Sequence, residues 1–239
     1  MSREWKIDNY IDYLNNVKHA SANTVASYRR DLKKMSRFLA DRGCVDVREA
    51  RGTDLNAYVL QMESQGMSTA TISRSIASMK SFFLFLLKQG VITEDYADAL
   101  KPPKIEKRTP ETLSIAEINL LLDQPSRLTP KEIRDKAMLE LLYATGMRVS
   151  ELINLKITDV NLTMNYILCR DESKERVIPI ENVAKMALDN YIKSVREAIS
   201  HGSMFLFTNM KGQPMTRQGF WKLIKAYAAK AGIEKDITP

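Results

Sequence analysis

The sequence predicts a mainly α-helical protein of two domains, the second of which mixes helices with a small β-sheet. Three observations predict it. Apolar residues recur at helical spacing through most of the first 100 residues. A basic, proline-rich stretch follows at 101–110. Beyond it, two short strand-like runs lie among further helical patterns.

In the first domain, Trp5, Ile7, Ile11 and Leu14 predict one helix. Val25, Tyr28, Leu32, Met35 and Leu39 predict a second, whose other face carries Arg29, Arg30, Lys33, Lys34 and Arg37. Leu55, Val59 and Met62 predict a third. The fourth begins near Ser68 and runs through Ile72, Ile76, Met79, Phe83 and Leu86 to a cap at Gly90. Its polar face is read as Ser75, Ser78 and Ser81, with Arg74 and Lys80 beside them. Four such helices around one core form a bundle spanning residues 1–100.

Residues 101–110 hold three prolines, which disfavour helix at the preceding positions. Lys101, Lys104, Lys107 and Arg108 stand there against Glu106, so ten residues carry three of the seven net positive charges. We read this stretch as an extended linker between domains 1–100 and 111–239.

In the second domain, Ser114-Ile-Ala-Glu117 is a capping box that starts a helix. Pro130 suits the first turn of the next, which runs through Ala137, Leu139 and Leu142 to Gly146. Tyr166–Cys169 and Val177–Ile180 read as strands, with Arg170 to Arg176 as the loop between them. A helix is expected over Asn182–Ala198, a short strand at Phe205–Phe207 and a last helix over Thr216–Ala231.

Composition narrows the chemistry. Cys44 and Cys169 match no metal or redox spacing, and His19 and His201 are isolated. No Gly-rich phosphate loop is present, and no Ser-His-Asp set can be argued. We expect neither metal nor organic cofactor. The longest apolar run, Phe82–Leu87, is too short for a membrane span, and the N-terminus lacks the apolar core of a signal peptide, which makes the cytoplasm the expected location. A net charge of +7 suits a polyanionic partner.

One segment stands out as a candidate site. In Tyr143-Ala-Thr-Gly-Met-Arg148-Val-Ser-Glu151-Leu152 a helix ends at Gly146, an arginine follows, and a short helix starts near Ser150. A guanidinium at such a junction can address a phosphate with two hydrogen bonds, with Glu151 holding it. Spacing alone favours the plainer reading, a surface Arg–Glu pair worth under about 1 kcal/mol.

The wording of Leu139–Leu152 closely resembles the first catalytic-arginine motif of the tyrosine recombinases, or phage integrase family. Arg134-Asp-Lys-Ala-Met138 looks like the Xer branch. Asn23–Leu32, Lys174–Pro179 and Met215–Trp221 resemble, in order, the family's N-terminal helix, its hairpin and the start of its late DNA-facing helix.

The resemblance implies an N-terminal SAM-like core-binding bundle and a catalytic domain that close as a clamp on double-stranded DNA. It implies strand cleavage and rejoining through a 3′-phosphotyrosyl intermediate, with chromosome dimer resolution or mobile-element integration as the setting. By position, Arg148 is the first phosphate-binding arginine and Glu151 its support. Strict alignment puts Asp171 where the family has its catalytic lysine, so Lys174 is the named candidate and Arg170 a second phosphate contact. DNA contacts are expected from Arg29, Arg30, Lys33 and Lys34, and from Arg74, Ser78 and Lys80. Lys104, Lys107 and Arg108 would follow the backbone, and Thr216, Arg217 and Gln218 would offer a helix N-terminus.

The family pattern continues with His-x-x-Arg and a nucleophilic tyrosine, and these do not occur among the 239 residues in that order. The expectation is therefore a catalytic domain lacking its C-terminal part, which binds DNA without cleaving it. The full-length parent would act as a homo- or hetero-tetramer on DNA, and this chain would be monomeric. Two rivals stand beside this reading. One is a naturally non-catalytic DNA-binding relative that shapes or blocks recombination sites. The other is a helical protein-interaction module.

Overall fold

Ser21, Ser68, Ser114, Thr129 and Thr216 each accept a hydrogen bond, at 3.0–3.3 Å, from the backbone N–H three residues on. Each thereby satisfies a donor that a helix N-terminus leaves open, and each fixes where a helix begins. The computed structural model describes residues 3–44, 46–104, 111–171 and 174–237, and side chains for all of these except 3–6, 171 and 174. The chain divides into two units, Met1–Arg108 and Thr109–Pro239.

The first unit consists of α1 (Arg3–Asn16), α2 (Ala22–Asp41), α3 (Gly52–Ser64) and α4 (Thr69–Lys88), with a 3-10 turn at Val47–Glu49. Tyr10, Leu32, Met35, Leu55, Ile76, Met79, Phe82 and Phe83 are almost wholly buried at its centre. The Tyr10 ring packs edge-on against Phe82 with centroids 5.4 Å apart. By length and mean hydropathy α4 could cross a membrane. Its apolar stripe instead forms the heart of this core.

One expectation for α4 is overturned. Ser75 and Ser78 are buried, at 2% and 0% exposure, so they do not form a polar outer face. The Ser78 hydroxyl donates to the Ser75 carbonyl at 2.8 Å, and this internal bond lets a small polar side chain face inward. Ser78 is therefore out of reach as a DNA contact in this structure.

The second unit is built around α6 (Pro130–Thr145), on which every residue from Arg134 to Leu141 is buried. A helix covered on all sides is a central one. Around it are α5 (Ile115–Asp123), α7 (Val149–Asn154), α8 (Asn182–Tyr191), α9 (Glu197–Ser200) and α10 (Arg217–Lys230). A π-helical segment, Ile192–Arg196, joins α8 to α9, so the expected helix is continuous to Ser200. Lys235 donates to Glu117 at 2.7 Å, tying the segment after α10 to the start of α5. This contact, with the Ser114 backbone and hydroxyl, holds the Glu117 carboxyl down to about 2.

A three-stranded antiparallel sheet lies in the order β1 (Val160–Asn161), β2 (Tyr166–Asp171), β3 (Lys174–Pro179). The strands reach further than the sequence suggested. Arg170 pairs with Glu175 and Asp171 with Lys174 in the ladder, so most of the expected loop is strand. The cross-strand Arg170–Glu175 ion pair, at 3.0 Å, supports the extension. Phe205–Phe207 is not a strand: Phe205 makes a single bridge to Lys156, and Thr208, just past the segment, makes one to Pro214. Leu206 and Phe207 are fully buried, and the Leu206 N–H donates to the Leu155 carbonyl at 2.7 Å.

The charges buried on α6 are paired. Arg134 donates to Asp135 at 2.6 and 2.9 Å and to the Thr208 carbonyl at 2.9 Å. Tyr227 of α10 donates to the other Asp135 oxygen at 2.9 Å, and burial pushes its hydroxyl well above the ordinary tyrosine range. Lys136 reaches the Leu122 carbonyl at 2.7 Å and Glu140 at 2.8 Å. Breaking such a pair leaves an uncompensated buried charge. We predict that Asp135→Ala destabilises the second unit by about 3–5 kcal/mol. Tyr227→Phe, which removes one donor, should cost only about 1–2 kcal/mol. Urea unfolding of the two variants checks the order.

Candidate nucleic-acid interface and phosphate site

The turn that delivers Arg148 is set by backbone geometry. Gly146 ends α6 with φ +58°, a left-handed conformation that favours glycine, and its N–H donates to the Leu142 carbonyl at 3.0 Å. Met147, 3% exposed, anchors the next residue in the core. Arg148 then takes an extended conformation as the N-cap of α7.

Glu151 closes that helix start. Its Oε2 accepts from the Arg148 backbone N–H at 2.6 Å, and the Glu151 N–H donates to the Arg148 carbonyl at 2.9 Å. The two side chains differ sharply in environment: Arg148 is 68% exposed and Glu151 5%, with Arg148 Nη1 3.7 Å from Glu151 Oε1. A buried carboxylate thus anchors an arginine whose guanidinium reaches into solvent. Arg176, on β3, donates from Nη2 to the same Glu151 Oε2 at 2.9 Å.

A second carboxylate repeats the arrangement on the other strand. Asp159, 6% exposed, accepts from the Lys156 backbone N–H at 2.8 Å at the start of the 3-10 turn Ile157–Asp159. Arg170 of β2 donates to its Oδ1 at 2.8 Å. Each strand of the hairpin is therefore fastened, through one arginine, to a carboxylate that closes a helical turn. Lys174 lies at the hairpin end, opposite Asp171 in the ladder. The exposed Arg148 guanidinium offers a planar set of donors suited to the oxygens of a phosphate.

Comparison with known proteins places the chain in a family. The phage integrase family matches residues 111–239, and its N-terminal SAM-like domain matches residues 7–90. A tyrosine recombinase XerD of Oceanobacillus iheyensis is 38% identical over 99% of this chain and 81% of its own length. The chain belongs to the phage integrase family of tyrosine recombinases. A tyrosine recombinase XerC of Roseiflexus castenholzii is 37% identical over 98% of this recombinase chain and 76% of its own. The same fold appears in a lambda integrase tetramer bound to a Holliday junction, with TM-score 0.75 and 18% identity over 100% of this chain and 66% of that one.

The other expected contact residues of the recombinase have varied surroundings. Arg29, Arg30 and Lys34 are exposed on α2 and Lys33 is half-buried, with Arg29 3.6 Å from Asp8. Arg74 gives two hydrogen bonds to the buried Asp31, at 2.8 and 3.2 Å, so it fastens α4 to α2. Lys80 donates to the Asp98 carbonyl at 2.8 Å. Lys104 is exposed, while Lys107, Arg108 and the Lys174 side chain lie outside the described residues. Thr216, Arg217 and Gln218 are exposed at the start of α10, where Thr216 is also the cap.

Arg176 was not singled out by sequence, although it stands inside the Lys174–Pro179 motif. Strand alternation could have found it: it pairs with the buried Cys169, on the face turned toward the core. The turn before Arg148 is directly testable. Gly146→Ala should cost about 1 kcal/mol in a urea titration, because an L side chain is strained at this φ.

Proposed function

We propose that this chain binds duplex DNA and grips a scissile phosphate for site-specific recombination of the Xer kind. The observation that carries the reading is the exposed Arg148 guanidinium, anchored by a buried carboxylate shared with the hairpin. In the reaction a tyrosine hydroxyl attacks the phosphorus, forming a 3′-phosphotyrosyl bond and releasing a 5′-hydroxyl. The bond energy is retained, so the reverse attack reseals the strand. Arg148 stabilises the charge that develops on the phosphate oxygens. Lys174 protonates the departing 5′ oxygen. Glu151 positions Arg148.

The DNA backbone is further held by Arg29, Arg30, Lys33 and Lys34, by Lys80 and Lys104, and by the start of α10 at Thr216, Arg217 and Gln218. Arg74 and Arg170, each engaged with carboxylates, serve mainly to shape these surfaces. The setting we favour is chromosome dimer resolution in the cytoplasm, by a tetramer assembled on DNA. This chain by itself is then a monomer.

We place the nucleophile outside the nine tyrosines of this sequence. Tyr191 is buried, donates to the Leu206 carbonyl at 2.9 Å and has its hydroxyl pushed up to about 12 by burial. Tyr227 is committed to Asp135. Tyr143, though 55% exposed, lies within the arginine motif itself, not after a His-x-x-Arg. Incubation with a nicked suicide substrate should give no covalent protein–DNA adduct, and an adduct would overturn this assignment.

Binding should weaken steeply with salt, since each phosphate contact releases counterions. Arg148→Ala should lower the slope of log Kd against log salt concentration by about one. Fluorescence anisotropy with a labelled duplex measures both. Binding that ignores salt would contradict the reading.

A further inference from the structure

We infer that Trp221 reads a thymine in the major groove and so gives this chain sequence preference as well as grip; this rests on the duplex-binding reading of α10. The core stripe of α10 is Phe220, Leu223, Ile224, Tyr227 and Ala228, all buried. Trp221 lies off that stripe and is 41% exposed. At helical spacing it stands one turn on from Arg217 and Gln218, both exposed. Lys222 beside it is exposed as well. A large indole is thus set among cations on the outer face of the helix.

The ring is also held in place. The Lys225 ammonium stands over it, 5.5 Å from the ring centroid and within cation–π range. Lys225 is itself ion-paired with Asp236, beyond the end of α10. This clamp steadies one face of the indole, and the exposed remainder is an apolar surface set in position before any ligand arrives. Bases are told apart in the major groove by donors, acceptors and one apolar group, the C5-methyl of thymine. An indole accepts no hydrogen bond and has a single N–H, so the methyl is the natural partner for its carbon surface. The groove is about 12 Å wide and admits an α-helix, and Arg217 and Lys222 suit the phosphates on its walls. A contact to a methyl group neutralises no phosphate, so it adds specificity without adding to the salt dependence.

The test uses the whole chain and duplexes that it selects from a random-sequence pool. These should carry a fixed thymine that is lost when Trp221→Ala does the selecting, while the other preferences persist. On the selected duplex, deoxyuridine in place of that thymidine removes one methyl group and should weaken binding several-fold. Trp221→Ala should weaken binding to the same duplex about tenfold. It should bind the thymidine and deoxyuridine duplexes equally, and it should keep the slope of log Kd against log salt concentration. A pool without a fixed thymine, a methyl effect that survives Trp221→Ala, or a slope lowered by that change overturns the inference.

Tryptophan emission gives a readout that needs no change at Trp221. The sequence holds two tryptophans, so Trp5→Phe leaves Trp221 as the sole one. Its quenching by acrylamide should fall when the selected duplex is added. Quenching that does not fall overturns the inference and leaves this face to a partner other than DNA. A chain that binds no duplex at low salt overturns the duplex-binding reading as well. Salt-dependent binding that ignores the methyl group removes the role of Trp221 alone and leaves the grip on the backbone standing.

Discussion

The Glu151 carboxylate is nearly sealed from water, and it is held by a backbone N–H and by two arginines from separate elements. Burying a carboxylate is costly unless donors surround it, so the side chain can sit there only if α7 and β3 both arrive at the right place. The dependence runs both ways. The short helix α7 needs a cap at its first turn, the hairpin needs an attachment to the body, and Arg148 needs an anchor that leaves its far end in solvent. One carboxylate meets all three needs. Asp159 does the same for the 3-10 turn and for Arg170 on the other strand. A two-stranded hairpin is marginal alone in water, and these two attachments help hold it.

Behind this site, α6 supplies a rigid floor. Its buried Arg134–Asp135 pair is completed by Tyr227 and by the Thr208 carbonyl, so the charges also define where α10 and the 205–208 segment pack. Polar groups in a core specify an arrangement more sharply than apolar contacts do, since a misplaced partner leaves a buried charge unmet. The left-handed turn at Gly146 then carries the chain from this floor to Arg148.

Helix positions were legible because caps and apolar periodicity are local. Ser68, Ser114, Pro130 and Gly146 each mark an end that the structure keeps. Arg148 and Glu151 were legible for the same reason, being three residues apart at one helix start. What local reading missed depends on distant partners. Ser78 reads as polar surface, yet its hydroxyl is satisfied within the helix and it faces inward. The Arg170–Arg176 stretch reads as loop because its charges hide a strand pattern, and only cross-strand pairing and the two carboxylates show its described residues as strand. The burial of Arg134, Asp135 and Lys136 is not legible locally, because besides pairing with each other and Glu140 within α6 they bond to segments 13 to 92 residues away.

The most direct test of the account is a crystal structure of this chain on a DNA duplex. We predict the Arg148 guanidinium on a backbone phosphate while Glu151 keeps both its bond to the Arg148 N–H and its pairing with Arg176. An Arg148 side chain turned away from the phosphate, or an Arg176 that has left Glu151 to bind DNA itself, would contradict it.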